Sequence, residues 1–327
     1  MEDWNPEILV LGPGGIKGFL FLGALLILES EGYLERIKTF VGVSVGAIIS
    51  LLLVAGYTVT EIISEAVDTS LFQDISCINL TEIKENTGLI SNRSIKEKLI
   101  ARIEDKFGKI LSLQELYDAT GLEFMCVTMN LDQDKAEYIS RKTYPQMSCV
   151  DAVLLSMNIP LLFYKLKYRG CVYIDGAFAN PYPIDVYDDG KRDILGMYIT
   201  SSNPAHHVPV DSHLALYLYK IIDSSMTQIR ERIIRSSSPR CKHLELISPT
   251  FDTTGLTVDL KLKSQMITIG YTAAKEFLDK ISGKEIDVLL GKNQESLRGN
   301  SESYENEDDE NQPLSPRIQR VLDVLSS

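Results

Sequence analysis

"EILVLGPGGIKGFLFLGALLILES", residues 7–30, passes from a short apolar run through four glycines in seven residues into a longer apolar run. The order reads as buried strand, tight turn and helix, and such a turn presents bare backbone N–H groups at a helix N-terminus. Three anions are in contention there, a dinucleotide pyrophosphate, a nucleotide triphosphate, or the oxyanion of an ester or amide under attack, against a fourth reading as a tight strand-to-helix turn with no ligand. The P-loop pattern fails, since a frame starting at Gly12 needs glycine where Lys17 stands and lysine where Gly18 stands. The dinucleotide pattern slips as well, because its frame ending at Gly18 begins with Pro13.

The next turn narrows the choice. "GVSVG", residues 42–46, is G-x-S-x-G between an expected strand over 39–43 and an expected helix over 45–54. Gly42 and Gly46 allow a sharp turn that lifts the Ser44 hydroxyl out of the sheet. Two consecutive βα turns of a parallel sheet, one rich in glycine and one bearing serine, bring N–H donors and a nucleophile to one sheet edge. A dinucleotide site also wants an acidic residue near the end of the second strand, and "TFVGVSVG" has none. The base for Ser44 is open at this point. Asp175, in "YIDGAF" directly before Gly176 at an expected strand end, is the better candidate; a Ser-His-Asp arrangement with His207 or His213 is the rival.

Farther along, "LSLQELYDATG" predicts a helix closed by Gly121, leading into the strand "LEFMCVTMNL". "SCVD" predicts a capping box at Ser148 for a helix through Met157, stopped by Pro160. "CVYIDGAF" and "DILGMYIT" read as further strands. This alternation predicts an α/β fold, a three-layer sandwich with a mostly parallel central sheet. Helical periodicity begins near residue 211 and returns over 263–281. The expected division is a catalytic core over 7–200, a helical extension over 201–291 packed on it, and an acidic disordered linker with a short amphipathic helix over 292–327.

Of 327 residues 44% are hydrophobic and 24% charged, enough for a full core in one large domain or two small ones. The net charge of −12 argues against nucleic-acid binding, and half of it is local: residues 293–312 carry seven acidic side chains against Arg298. The rest of the chain is mildly acidic, which leaves docking on a membrane surface open. No apolar run approaches the ~20 residues of a bilayer span, and no signal peptide is visible, so the expected location is cytoplasmic. Five cysteines without a C-x-x-C pair read as reduced thiols, and four histidines without metal-ligand spacing predict no metal site.

The motifs together resemble the patatin-like phospholipases, whose glycine-rich oxyanion loop, G-x-S-x-G, A-S-x-x-x-P and D-G-[GA] occur in that order. Here "PGGIKG" (13–18), "GVSVG" (42–46), "LSMNIP" (155–160) and "DGAF" (175–178) follow it, and the resemblance covers about residues 7–200. It implies hydrolysis of fatty-acyl esters of phospholipids or related lipids without a cofactor. Ser44 would be the nucleophile and Asp175 the general base of a dyad, the Gly14 and Gly15 N–H groups the oxyanion hole, and Lys17 and Gly18 the support of that loop. Pro13 departs from the family's glycine and has no N–H to donate. Against this stands a catalytically silent lipid-binding or scaffold protein with the acidic tail, whose partner is unknown, as its interaction element; intact Ser44 and Asp175 oppose that.

Overall fold

The computed structural model describes residues 4–68, 87–201, 214–249 and 259–282. The predicted opening is present: strand β1 (Ile8–Leu11), helix α1 (Phe19–Ser30), strand β2 (Thr39–Gly42) and helix α2 (Val45–Val54). The helix read after the glycine turn is preceded by a tight 3-10 turn over Gly15–Gly18. Glycine is a weak helix former, so regular α-helix waits for the apolar run at Phe19.

β1 and β2 pair in parallel, and every residue of both is buried, as expected of strands covered on two faces. They lie inside an eight-stranded sheet with β9 (Ile194–Ser201) and β10 (Cys241–Ser248) on one side and β4 (Glu123–Asn130) on the other. From β10 through β9, β1 and β2 to β4 all pairings are parallel. Beyond β4 the sheet turns antiparallel through β5 (Lys135–Ser140), β8 (Cys171–Asp175) and β7 (Leu166–Tyr168). A separate parallel pair joins β3 (Gly88–Ile90) to β6 (Leu161–Phe163).

Alternation along the strands sorts the core into two faces. Leu9, Leu11, Phe40 and Cys126 join the larger cluster with α1 and α2. On the same side lie α3 (Val59–Asp68), α4 (Arg93–Phe107), α5 (Leu113–Thr120), α6 (Cys149–Ser156) and α8 (Leu260–Ser282). Ile8, Val10, Val41 and Met125 face the other way, toward Tyr182, Ile184 and the end of α7 (Leu214–Ser236) at Ile233. The result is the three-layer α/β sandwich that the sequence predicts.

The apolar character of α1 on all sides has a cause in the packing. It is sandwiched between the sheet and α8, and the two helices approach until a Cβ on Gly23 would lie 2.0 Å from the Ile267 carbonyl oxygen. The stretch 201–291, expected to be helical, also contributes β10, which pairs with β9 along its whole length. Gly121 ends α5 in the left-handed conformation as predicted, at φ 70°. Ser148 caps α6 by accepting the Asp151 N–H, but the Asp151 carboxylate reaches Lys96 at 2.9 Å, so the predicted box has one half. The linker and terminal helix expected over 292–327 lie outside the described residues.

Candidate active site

The register of β4 dictates which ends meet. Along one edge β5 pairs with β4 from Met125 to Asn130, so every other partner in that range must use the opposite edge. On that opposite edge β2 ends with Gly42 across from Cys126, and β8, running the other way, ends with Asp175 across from Thr128. Two strands therefore run toward each other along one edge and stop about two residues apart, a gap of ~7 Å at strand spacing. The turn carrying Ser44 leaves from one end and Asp175 is the other.

Ser44 sits in that turn at φ 58°, ψ −125°, and it is 4% exposed. Positive φ at a residue with a Cβ costs about 1–3 kcal/mol and persists only where the surroundings impose it. They do. A Cβ on Gly42 would lie 2.4 Å from Ala47 backbone atoms, and one on Gly46 2.4 Å from the Leu11 carbonyl oxygen. The Ser44 N–H donates to the Ser156 hydroxyl at 3.2 Å, while Ala47 N–H returns to the Ser44 carbonyl at 2.9 Å and starts α2.

Asp175 is 2% exposed. Burial pushes its carboxyl up to about 6, opposed by hydrogen bonds from the Ser44 hydroxyl and the Ala177 N–H. The Ala177 bond measures 2.8 Å, and the Asp175 N–H donates to the Asn158 carbonyl at 2.9 Å. Gly176 has no room for a side chain, since a Cβ would lie 2.0 Å from the Val127 carbonyl oxygen. The structure thus brings Ser44 and Asp175 together at one edge of β4.

The glycine turn lies beside them. Gly12 N–H donates to Met197 O at 3.0 Å and anchors it to β9. Among the described residues no backbone carbonyl takes the N–H of Gly14 or Gly15. A Cβ on Gly18 would lie 2.7 Å from a Val45 methyl, so this turn packs directly on the first residue of α2. Lys17 donates to the Ser201 hydroxyl at 3.2 Å, at the end of β9. Desolvation lowers its pKa, and the Asp223 carboxylate of α7 opposes that. Met226 of α7 packs on the apolar cluster of Val43, Val127 and Ala177, whose first and last members flank Ser44 and Asp175 in sequence.

The histidine alternatives fare differently. His243 is in β10, in one row with Gly196, Val10 and Val41, so it lies three strands, about 14 Å, from β2. Its ring nitrogens are hydrogen-bonded to Tyr182 at 2.9 Å and Ser237 at 2.8 Å, and burial lowers its pKa. His206, His207 and His213 lie outside the described residues. Among the described residues no group of three or more His, Cys, Asp or Glu is placed to hold a metal ion, and no helix is long and apolar enough to cross a membrane. Sequence reasoning missed Ser156 and Asn158 as neighbours of the pair; "LSMNIP" was a signal for that segment, but not for what its side chains touch.

A family model described as patatin-like phospholipase matches residues 9–188. A probable lipid hydrolase, 463L, of Invertebrate iridescent virus 6 is 31% identical over 186 residues, covering 55% of this chain and 62% of that protein. The uncharacterized protein R571 of Acanthamoeba polyphaga mimivirus is 25% identical over 284 residues, covering 84% of this chain and 94% of that protein. The chain thus spans less than two thirds of the first relative and nearly all of the second. Among solved structures, VipD from Legionella pneumophila aligns at a TM-score of 0.50 and 14% identity, over 84% of this chain and 67% of that one. The type III effector ExoU of Pseudomonas aeruginosa aligns at 0.51 and 15%, over 85% and 53%. At such identities the structural likeness concerns the fold, whereas the family match spans both motif turns and Asp175: this chain belongs to the patatin-like phospholipase family.

Proposed function

We propose that the protein hydrolyses fatty-acyl esters of lipids, as a phospholipase A-type acyl hydrolase with Ser44 as nucleophile and Asp175 as its base. The observation that carries this is the convergence of the Ser44 turn and Asp175 on one edge of β4, where burial raises the Asp175 pKa and no charged side chain contributes to the shift. A base near neutrality takes a proton and gives it back readily. Ser44 Oγ attacks the ester carbonyl as its proton passes to Asp175. The N–H groups of Gly14 and Gly15 hold the oxyanion, and Asp175 returns the proton to the departing alcohol oxygen. Water then attacks the acyl-serine, again giving its proton to Asp175, and the fatty acid leaves as Ser44 is restored. The apolar cluster of Met226, Val43 and Ala177 beside the pair suits an acyl chain, and the lipid would be met at a membrane surface.

The test is release of fatty acid from phosphatidylcholine vesicles by the purified chain, followed by mass spectrometry. Wild type releases fatty acid and one lysolipid per turnover, and carries a covalent adduct on Ser44 after treatment with an alkyl fluorophosphonate. Hydrolysis that persists in Ser44→Ala, or an adduct on another residue, sinks the assignment.

A further inference from the structure

The connector that ends α6 touches both halves of the pair. On one side the Ser156 hydroxyl accepts the Ser44 N–H at 3.2 Å, across 112 residues of sequence. On the other, the Asn158 carbonyl accepts the Asp175 N–H at 2.9 Å, and the Asn158 side chain donates Nδ2–H to the Tyr173 carbonyl at 3.0 Å. Between them the Thr128 hydroxyl lies 3.0 Å from the Leu155 carbonyl and 2.9 Å from that of Ile174, tying the end of α6 to β8. Ser156 and Asn158 are 0% and 2% exposed, so none of these bonds competes with water.

We propose that residues 155–158 are a splint that sets the reach from the Ser44 hydroxyl to the Asp175 carboxylate, with Ser156 and Asn158 as its positioning residues. The proposal rests on the dyad reading. β2 and β8 are not hydrogen-bonded to each other, so β4 alone fixes only where their backbones stop. The turn at Ser44 must still be held in a conformation that its own φ disfavours, and Ser156 supplies the one side-chain bond to its N–H. Asn158 carries a second sign of selection for geometry over packing. Its Oδ1 is buried with no partner among the described residues, an expense that an apolar side chain of the same size would avoid. The splint keeps the amide for what its Nδ2 holds.

Kinetics can separate positioning from mere support. The groups that act on the Asp175 carboxylate are the Ser44 hydroxyl from the β2 turn and the Ala177 N–H from the turn after β8, both uncharged, and no charged side chain contributes. The Ser44 bond lowers the Asp175 pKa, so a serine that drifts away lets it rise. With p-nitrophenyl butyrate as a soluble substrate, Ser156→Ala is expected to lower kcat about 10- to 100-fold with KM within threefold, since a misplacement of ~1 Å costs about that much. Its acid limb moves to higher pH by half a unit or more, and Ser156→Thr, which restores an acceptor oxygen, recovers part of the rate. Asn158→Leu lowers kcat about tenfold while its Tm stays level or rises. If Ser156→Ala does not fold, Ser156→Cys takes its place, with a weaker acceptor in nearly the same volume. Wild-type kcat and an unmoved acid limb in the folded Ser156 variant overturn the splint while Ser44→Ala is inactive. Full activity in Ser44→Ala overturns the dyad reading and the splint with it.

Discussion

Glu137 and Asp175 are both buried carboxylates, 7% and 2% exposed, and they stand opposite the same residue, Thr128, from the two edges of β4. Their surroundings treat them in opposite ways. Burial pushes the Glu137 carboxyl up, but hydrogen bonds from Tyr144, Asn130 and Tyr173 and the Lys135 ammonium outweigh it and hold the group below its usual range. Burial dominates at Asp175, where a hydroxyl and one backbone N–H do not offset it. Low exposure alone is therefore a poor guide to chemistry; the balance between desolvation, which is heavier at Asp175, and the hydrogen bonds and charge on offer decides which carboxylate is a fixed anion and which can exchange a proton.

The largest test of that contrast is catalytic. Ser44→Ala and Asp175→Asn are each expected to lose a thousandfold or more in kcat on a phospholipid or a soluble ester, a barrier increase of at least ~4 kcal/mol. Glu137→Gln, one strand away, should stay within about threefold in the folded enzyme. Equal losses in Glu137→Gln and Asp175→Asn would erase the distinction.

Stability should split the same pair with opposite signs. Asp175 has a folded pKa of about 6 against an ordinary 3.8, so ionising it works against the fold as pH rises from about 4 through 6. Two units correspond to about 3 kcal/mol at neutral pH, and Asp175→Asn should recover part of it as a higher Tm at pH 7, with the gain vanishing near pH 4. Glu137, held low, stabilises the fold above its unfolded pKa and loses that contribution as pH falls through its folded value. Glu137→Gln should therefore lower Tm at pH 7, by the ~1–3 kcal/mol of a charged hydrogen bond, with the deficit shrinking in acid. Thermal melts of the two variants at pH 7 and pH 4 settle both signs.

How much of this could be read in the sequence follows from the range of the interactions. Strand, glycine turn and helix at the two motifs are local, and "ILVL", "TFVG" and "VGAIISLLLV" fall in the observed elements. Asp175 was legible because Asp-Gly at a strand end is local too. β10 was not: "CKHLELIS" buries Cys241, Leu244, Leu246 and Ser248, yet it lies between two helical stretches and its Lys, His and Glu mask the alternation. The Ser156 bond joins residues 112 apart, and only the β4 register reveals why β2 and β8 converge. The raised pKa of Asp175 is a product of burial, which no motif states.

That pKa alters what a pH profile can say. With a base near 6, kcat/KM should fall about tenfold per pH unit below pH 6 and be level from 7 to 8. An acid limb near 4 would mean that the carboxylate is solvated in the working enzyme and that the contrast with Glu137 is weaker than its burial implies. A histidine base would put its limb near ~6.5, too close to tell apart. The profile measures the depth of the Asp175 site and leaves the identity of the base to substitution.

The smallest expected effect decides that identity. A triad histidine must reach Ser44 Oγ with one nitrogen and be oriented by a carboxylate at the other. Both nitrogens of His243 are taken up by Tyr182 and Ser237, three strands from the serine turn, so His243→Ala should cost some stability and little rate. His206→Ala, His207→Ala, His213→Ala and His243→Ala, made singly and assayed on p-nitrophenyl butyrate, are each expected to keep activity within tenfold, a ceiling of ~1.4 kcal/mol. A thousandfold loss in any one of them with an unchanged melt would transfer the role of base to that histidine, reduce Asp175 to orienting it, and return the two carboxylates beside Thr128 to the same kind.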